Sequence, residues 1–284
     1  MVQWLARLHE LNPRWLYLAT GLLMIVPFVI LIPMPAGTPS RATQGLYDAI
    51  ESCPPDKVVW IDSSWDQGSR AENEAQLGCV IRHLCRRHVR FVVTSVGITP
   101  FGPEFAERTI RPISEEAGYV YGRDWVNTGF VQAPTSTSLA LVINGLARDF
   151  HSIRPADVHG TPIGDLALMQ KVRTIRDIHL IYAITYSPAQ EWISFIKGQF
   201  GTPVAFGCMS IMAPSYYAFL DSGQLCGVLV GNRGAAQYEA LIGRPSLGTR
   251  LSMAQSFGNA AIILAALVGN LGLWAARRAR SKAP

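Results

Sequence analysis

One stretch of the chain concentrates residues able to do chemistry. The β-branched run Lys57-Val-Val-Trp-Ile-Asp62 gives way to Ser63-Ser64-Trp65-Asp66-Gln67-Gly68-Ser69. A carboxyl group followed by hydroxyls can hydrogen-bond a polar ligand, and the amides of a helix that starts just beyond can hold an anion. The same residues also suit ordinary capping, with Asp66 or Ser69 as the N-cap and acids in the first turn. Similar polar exits follow other apolar runs: Thr94-Ser95-Val-Gly97-Ile-Thr99-Pro100, Asn127-Thr128-Gly129-Phe130 and Thr185-Tyr186-Ser187-Pro188. Turns favour these residue types as well. The candidate ligand-binding set is therefore Asp62, Ser63, Ser64, Thr94, Asn127 and Thr185.

Other chemistries find little support. Cys79 and His83 share a helix face at i, i+4, and His88 follows Cys85 by three, but Arg82, Arg86 and Arg87 crowd that segment. His151, Asp157 and His159 form a second, looser group. Neither has the spacing of a strong metal motif, so no metal or cofactor is expected. No G-x-S-x-G elbow is present, and no pair of carboxylates stands out for acid–base work. The segment Gly227-Val-Leu-Val-Gly231-Asn-Arg-Gly234 reads as strand, turn and helix, yet lacks both the G-x-G-x-x-G order and the G-K-[ST] of a P-loop. Arg233 is a candidate anion holder there, although close backbone packing is the simpler use of these glycines. The five cysteines give an odd count and no readable disulfide framework.

These residues need elements to position them. Strand candidates are Lys57–Asp62, Val89–Ser95, Asp124–Thr128, Asp177–Ile184, Pro203–Phe206 and Leu225–Val230, each a short, nearly continuous apolar run suited to burial on both faces. Helix candidates lie between them at about 67–88, 103–117, 136–149, 188–199 and 233–242. Residues 150–176 give no clear pattern. Alternation of this kind predicts an α/β domain with a doubly wound, mostly parallel sheet. It resembles flavodoxin-like or periplasmic-binding-protein-like lobes, an architectural analogy that carries no functional residue. In such folds ligands sit beyond the carboxyl ends of the strands, where the six candidates would gather.

The domain is bracketed by two uncharged stretches, Trp15 to Ser40 and Leu251 to Ala276. Each is long enough for a helix of about 20 residues across a core of about 30 Å. The first exceeds the 7–15 apolar residues usual in a signal peptide, and only Ser40-Arg-Ala42 approaches a cleavage site. Pro33, Pro35 and Pro39 end it. Arg7, Arg14, Arg277, Arg278, Arg280 and Lys282 face the single acid Glu10 in the tails, an excess equal to the whole formal charge of +5. The middle region is neutral, so no basic surface is left to follow a nucleic acid backbone. The positive-inside rule puts both termini in the cytoplasm and the domain outside it, in a plasma (inner) membrane. The expected organisation is a cytoplasmic segment 1–14, a transmembrane helix 15–34, a Pro-rich linker 35–42, an extracytoplasmic domain 43–250, a second transmembrane helix 251–276 and a basic tail 277–284. Gly258, Ala261, Ala265, Gly269 and Gly272 recur at spacings of three or four, which lets helix backbones approach closely, and Asn270 seeks a partner for its amide. The first functional expectation is a structural or interaction subunit of a membrane assembly, in contact with the bilayer and with other subunits or copies of itself. The alternative is a membrane-tethered small-ligand binding or sensory domain with an unknown ligand, and after it a tethered hydrolase or transferase.

Overall fold

The structure is a computed structural model that describes residues 13–30, 37–152, 154–185 and 190–280. The chain divides into two compact units. One spans Ala36–Thr249, and the other joins Met1–Pro35 with Arg250–Pro284.

In the first unit, α2 (Arg41–Glu51) precedes β1 (Val58–Ser64), α3 (Arg70–Arg86), β2 (Phe91–Gly97), α4 (Gly102–Glu116), β3 (Trp125–Gln132) and α5 (Ser136–Arg148). A region of turns and short 3-10 helices follows. Then come β4 (Ile178–Thr185), a helical segment α6 made of Gln190–Trp192, a π turn Ile193–Lys197 and Gly198–Phe200, β5 (Val204–Cys208), α7 (Ala213–Asp221), β6 (Gly227–Val230) and α8 (Gly231–Leu241). Relative to the pattern read from sequence, α2 and α7 are additional. Ser40, expected within a linker, is the N-cap of α2 and accepts from the Thr43 amide. The local signal for α2 is nonetheless present: Ala42, Leu46 and Ile50 recur at spacing four on one buried face, just after the capping serine.

All six strands lie in one sheet in the order β3-β2-β1-β4-β5-β6, and every pair is parallel. The order reverses between β1 and β4. This is the doubly wound order of dinucleotide-binding folds, not the 2-1-3-4-5 order of flavodoxin-like ones. Burial of both faces of the central strands explains their unbroken apolar character: Val58 through Ser63 are all buried. On one face Trp60 stands edge-on to Phe150 and Trp192, with ring centroids 4.8 and 5.0 Å away. On the other, Trp65 stacks on Phe105 of α4 at 5.0 Å.

Two glycines allow α2 to lie directly on β6. A Cβ at Gly45 would stand 2.0 Å from the Cys226 carbonyl oxygen, and one at Gly227 would stand 2.4 Å from the Leu46 nitrogen. Close packing is thus the use made of Gly227. Nearby, the His83 ring is buried, stacked on Tyr47 at 4.6 Å. It bonds Tyr238 Oη at 2.6 Å through Nδ1 and Glu51 Oε1 at 2.9 Å through Nε2. Neutral imidazole satisfies both contacts when Tyr238 donates to Nδ1 and Nε2–H donates to Glu51. Burial lowers the His83 pKa to about 4.

The last helix, α9 (Leu247–Arg280), starts within this unit. Its first amides have no partners of their own kind. Buried Glu239 supplies them: Ser246 N and Thr249 N donate to Oε2 at 2.8 Å, Thr249 Oγ1 donates to it at 2.6 Å, and Gly248 N donates to Oε1 at 2.8 Å. Two residues earlier, Gln237 accepts from Ser40 N and Thr43 Oγ1 and donates to Thr38 O. Helix α8 therefore ties down residues 38–43 from one side and residues 246–249 from another.

In the second unit, α1 (Pro13–Val29) pairs with the part of α9 beyond Arg250. A Cβ at Gly258 would meet Met24 Sδ at 3.3 Å, and Arg250 Nη1 donates to the Phe28 carbonyl. Gly258, Ala261 and Gly272 are buried, while Ala265 and Gly269 are half-buried. Asn270 Nδ2 donates to Ala266 O on its own helix, so its amide finds a partner without a second chain. Leu247–Ala275 is long and apolar enough to cross a membrane. The described N-terminal helix is shorter than the expected span of 15–34: 17 residues at about 1.5 Å each reach only about 25 Å. Leu31–Met34, Pro35 and the tail from Ser281 to Pro284 lie outside the described residues.

Removing the Glu239 carboxylate leaves several buried or half-buried donors without an acceptor. Glu239→Ala should cost on the order of 2 kcal/mol in denaturant unfolding of the detergent-extracted protein, with Glu239→Gln losing less. A loss below about 0.5 kcal/mol for the Ala variant would mean that the helix start needs no cap.

Candidate functional site

Strand alternation decides which candidate side chains can meet. Successive residues of β1 point to opposite faces, and the register sets Asp62 beside Thr94 and Ala183, and Ser64 beside Thr185. Asp62, Ser64, Thr94 and Thr185 share the face of Trp60. Ser63 and Asn127 lie on the other. Ser63 Oγ accepts from Trp65 Nε1 at 2.7 Å. Asn127 Nδ2 donates to Pro103 O and to Glu107 Oε1, and its Oδ1 accepts from Gly129 N. Thr94 is buried below the strand exit, where Oγ1 accepts from Trp60 Nε1 at 2.8 Å. Asp62, Ser63, Ser64 and Thr185 lie toward the carboxyl ends of β1 and β4, whereas Thr94 is mid-strand in β2 and Asn127, paired with Val93, lies near the start of β3, well short of the sheet edge. Ser63, Thr94 and Asn127 are spent on internal contacts.

The other three border a cavity of about 170 Å³ at the point where the strand order reverses. Asp62 and Ser64 come from β1, Thr185 from the end of β4, and Val96 to Thr99 from the exit of β2. The turn from β3 into α5 adds Ala133 to Ser136, and α5 adds Leu139. From α6 come Glu191 and Trp192. A π turn follows Trp192 directly, the kind of irregularity often found at functional sites. Thr135 caps α5 in a reciprocal pair with Ser138. The residues of α5 and α6 were not singled out from sequence. Their only local signal is position, since each lies at a helix start that follows a strand exit.

Asp62 is the most unusual group here. Its side chain is buried. Oδ1 accepts from Val96 N at 3.0 Å and from Ser64 Oγ at 2.8 Å. Ser64 Oγ also stands 2.8 Å from the Val96 carbonyl, and its single proton cannot serve both acceptors. A proton on Asp62 Oδ1 resolves the conflict, because the carboxyl O–H then donates to Ser64 Oγ and leaves the serine hydroxyl to donate to Val96 O. Oδ2 has no hydrogen-bond partner. Burial pushes the Asp62 pKa up to about 8, against the smaller opposing effects of Ser64 and the Val96 amide. The carboxyl is therefore neutral at pH 7.

The remaining sequence candidates are structural. Asp66 Oδ1 accepts from Ser69 N and Ser69 Oγ, closing the turn before α3, while Ser69 itself makes no side-chain cap bond to that helix. Asp157 accepts from Tyr121 Oη, His159 N and Thr161 N and so organises the loop after α5. His151 Nε2 contacts Met169 O. Cys79 Sγ donates to Gln76 O, and all five cysteines are free. Among the described residues no three His, Cys, Asp or Glu side chains cluster for a metal. Tyr186, Ser187 and Pro188 lie outside the described residues. Comparison with known protein families found no match, and comparison with curated proteins found none either.

The neutral Asp62 implies a pH dependence of stability with a definite sign. Below about pH 4 the folded and unfolded chains both hold the proton, and the group contributes nothing. As pH rises from about 4 to about 8 the unfolded chain has lost it while the folded chain keeps it, so stability falls. Asp62→Asn should match the parent near pH 4 and exceed it by on the order of a few kcal/mol at pH 8. His83 gives the opposite slope, with stability lost as pH falls from about 6.5 toward about 4, and this cancels in the comparison. Parallel stability–pH curves for parent and variant would show that Asp62 is ionised in the folded protein.

Proposed function

We propose that this chain is a membrane-tethered binding protein whose α/β domain receives a small ligand at the carboxyl edge of its sheet. The observation that carries the reading is the cavity at the strand-order reversal, floored by a buried carboxyl with one unpartnered oxygen. Buried polar atoms normally have partners, and exceptions concentrate at functional sites. Doubly wound sheets bind ligands at this crevice whatever their chemistry. A cavity of about 170 Å³ is small beside the 300 Å³ or more of a site for a drug-sized ligand, which disfavours a nucleotide or a large cofactor.

A structural role in a membrane assembly is the second reading, supported by the small-residue face of α9. Part of that face is already used inside the chain, where Gly258 meets Met24. The tethering is supported by the stretch Leu247–Ala275, which is long and apolar enough to cross a membrane. For topology we take both uncharged stretches as spans, with both termini cytoplasmic and the domain extracytoplasmic in the plasma (inner) membrane, on the distribution of basic residues. Accessibility labelling of single cysteines introduced at Pro284 and at exposed Gln132 checks this. Labelling of position 132 from the cytoplasmic side would reverse the assignment.

A thermal-shift screen of small polar compounds against the detergent-extracted full chain tests the binding reading. At least one class should raise the melting temperature of the parent. Leu139→Trp, which fills the cavity from α5, should abolish the shift. An identical response in the Trp variant would locate binding elsewhere, and the absence of any stabilising compound would favour the assembly role.

A further inference from the structure

We infer that the cavity takes a compact organic cation, an amine with a few carbon atoms, and holds its ammonium group on the Asp62 carboxyl. This rests on the binding-site reading above and adds the charge class of the ligand.

Three observations support it. The ionisable side chains bordering the cavity are Asp62 and Glu191, and no Lys, Arg or His joins them among the described residues. An anion would meet two acids and no counter-ion. The starts of α5 and α6 are of opposite sign, each worth about half a positive charge, but at α5 the Ser138 amide is already capped by Thr135, and at α6 Glu191 sits in the first turn. Next, the Asp62 oxygen left without a partner is Oδ2, while Oδ1 is occupied on the Val96 and Ser64 side. With the proton on Oδ1, Oδ2 is a pure acceptor, and its complement is an N–H donor, strongest when charged. The third observation is the wall. Ile98, Leu139 and Trp192 offer apolar surface for a short carbon body, and an indole favours a nearby cation.

Binding is then coupled to a proton. Free Asp62 keeps its proton up to about pH 8. An ammonium beside it favours the carboxylate, so the carboxyl proton leaves for solvent as the N–H···O⁻ contact forms. One positive charge enters and one leaves. Among the described residues facing Asp62 across the cavity, Glu191 of α6 is the one other titratable group, while β2, β4 and α5 contribute Val96, Thr185, Thr135 and Leu139.

Titration calorimetry of the full-length protein in detergent with butylamine, butanol and butyrate, matched in size, tests this. Butylamine should bind at least about tenfold more tightly than the other two. Its affinity should rise by up to about tenfold per pH unit from pH 6 to about 8 and then level off, since an alkylamine stays protonated throughout this range. Heats in buffers of different ionisation enthalpy should show close to one proton released per amine below pH 8. Asp62→Asn should lose the pH dependence and at least about tenfold in affinity. Glu191→Gln should lose less. Butanol or butyrate binding as tightly as butylamine would overturn the charge class while leaving the binding site standing. Amine binding that is independent of pH in the parent would overturn the Asp62 contact, and this measurement needs no variant to fold. If none of the three binds although the thermal screen finds other ligands, the amine class falls alone. If nothing binds at all, the site reading falls with it.

Discussion

Two adjacent parallel strands that send their connections to opposite faces of a sheet cannot both be covered at their carboxyl ends. In this protein those strands are β1 and β4, and the uncovered place between them is the cavity floored by Asp62. The remaining elements follow from the need to bury the sheet everywhere else. The Trp60–Phe150–Trp192 cluster fills the face beneath the cavity. α3 and α4 cover the opposite face, where Trp65 meets Phe105. Trp192 belongs to both worlds, since it packs on Trp60 and also borders the cavity.

The electrostatics of the site come from the same constraint. A carboxyl on the last turn of pleat before a strand exit is deep enough to lose water and close enough to the crevice to meet a ligand. Desolvation dominates its titration, and its polar neighbours are a serine and a main-chain amide rather than a basic side chain. Such a group is held neutral without being fully satisfied. Most other buried acids of the domain are handled differently. Glu239 gathers four donors around a helix start, and Asp157 gathers three in a loop.

α8 has a structural role that its short length conceals. Gln237 holds the chain at residues 38–43, Glu239 holds it at residues 246–249, and Tyr238 between them reaches His83. Consecutive positions on a helix point about 100° apart, so three neighbours can serve three different partners. Chain entry, chain exit and the interior polar network of α2 and α3 all converge on this one helix.

Much of this architecture is legible in the order of residues alone. Nearly continuous apolar runs such as Val58–Ile61 mark strands buried on both faces, and their alternation with helical patterns implies parallel winding, because those signals are local. The uncharged run near the C-terminus is legible for the same reason. Local pattern also marks Asp62, Ser64 and Thr185 as residues at strand exits. It does not say that Ser63 and Asn127 face away from them, because a strand's absolute facing depends on which neighbours it pairs with and which helices cover each side. Nor does it contain Glu191, Trp192 and Leu139, which reach the cavity only through the position of β4 beside β1. Helix α2 is legible in the spacing of Ala42, Leu46 and Ile50 after Ser40, but its contact with β6 through Gly45 and Gly227 is not, because that depends on a segment far away in the chain. Residue order determined the elements and the edge of the sheet where polar groups collect. Only the tertiary structure decided which of those groups face one another, since strand order and register are set by packing between segments far apart in the chain.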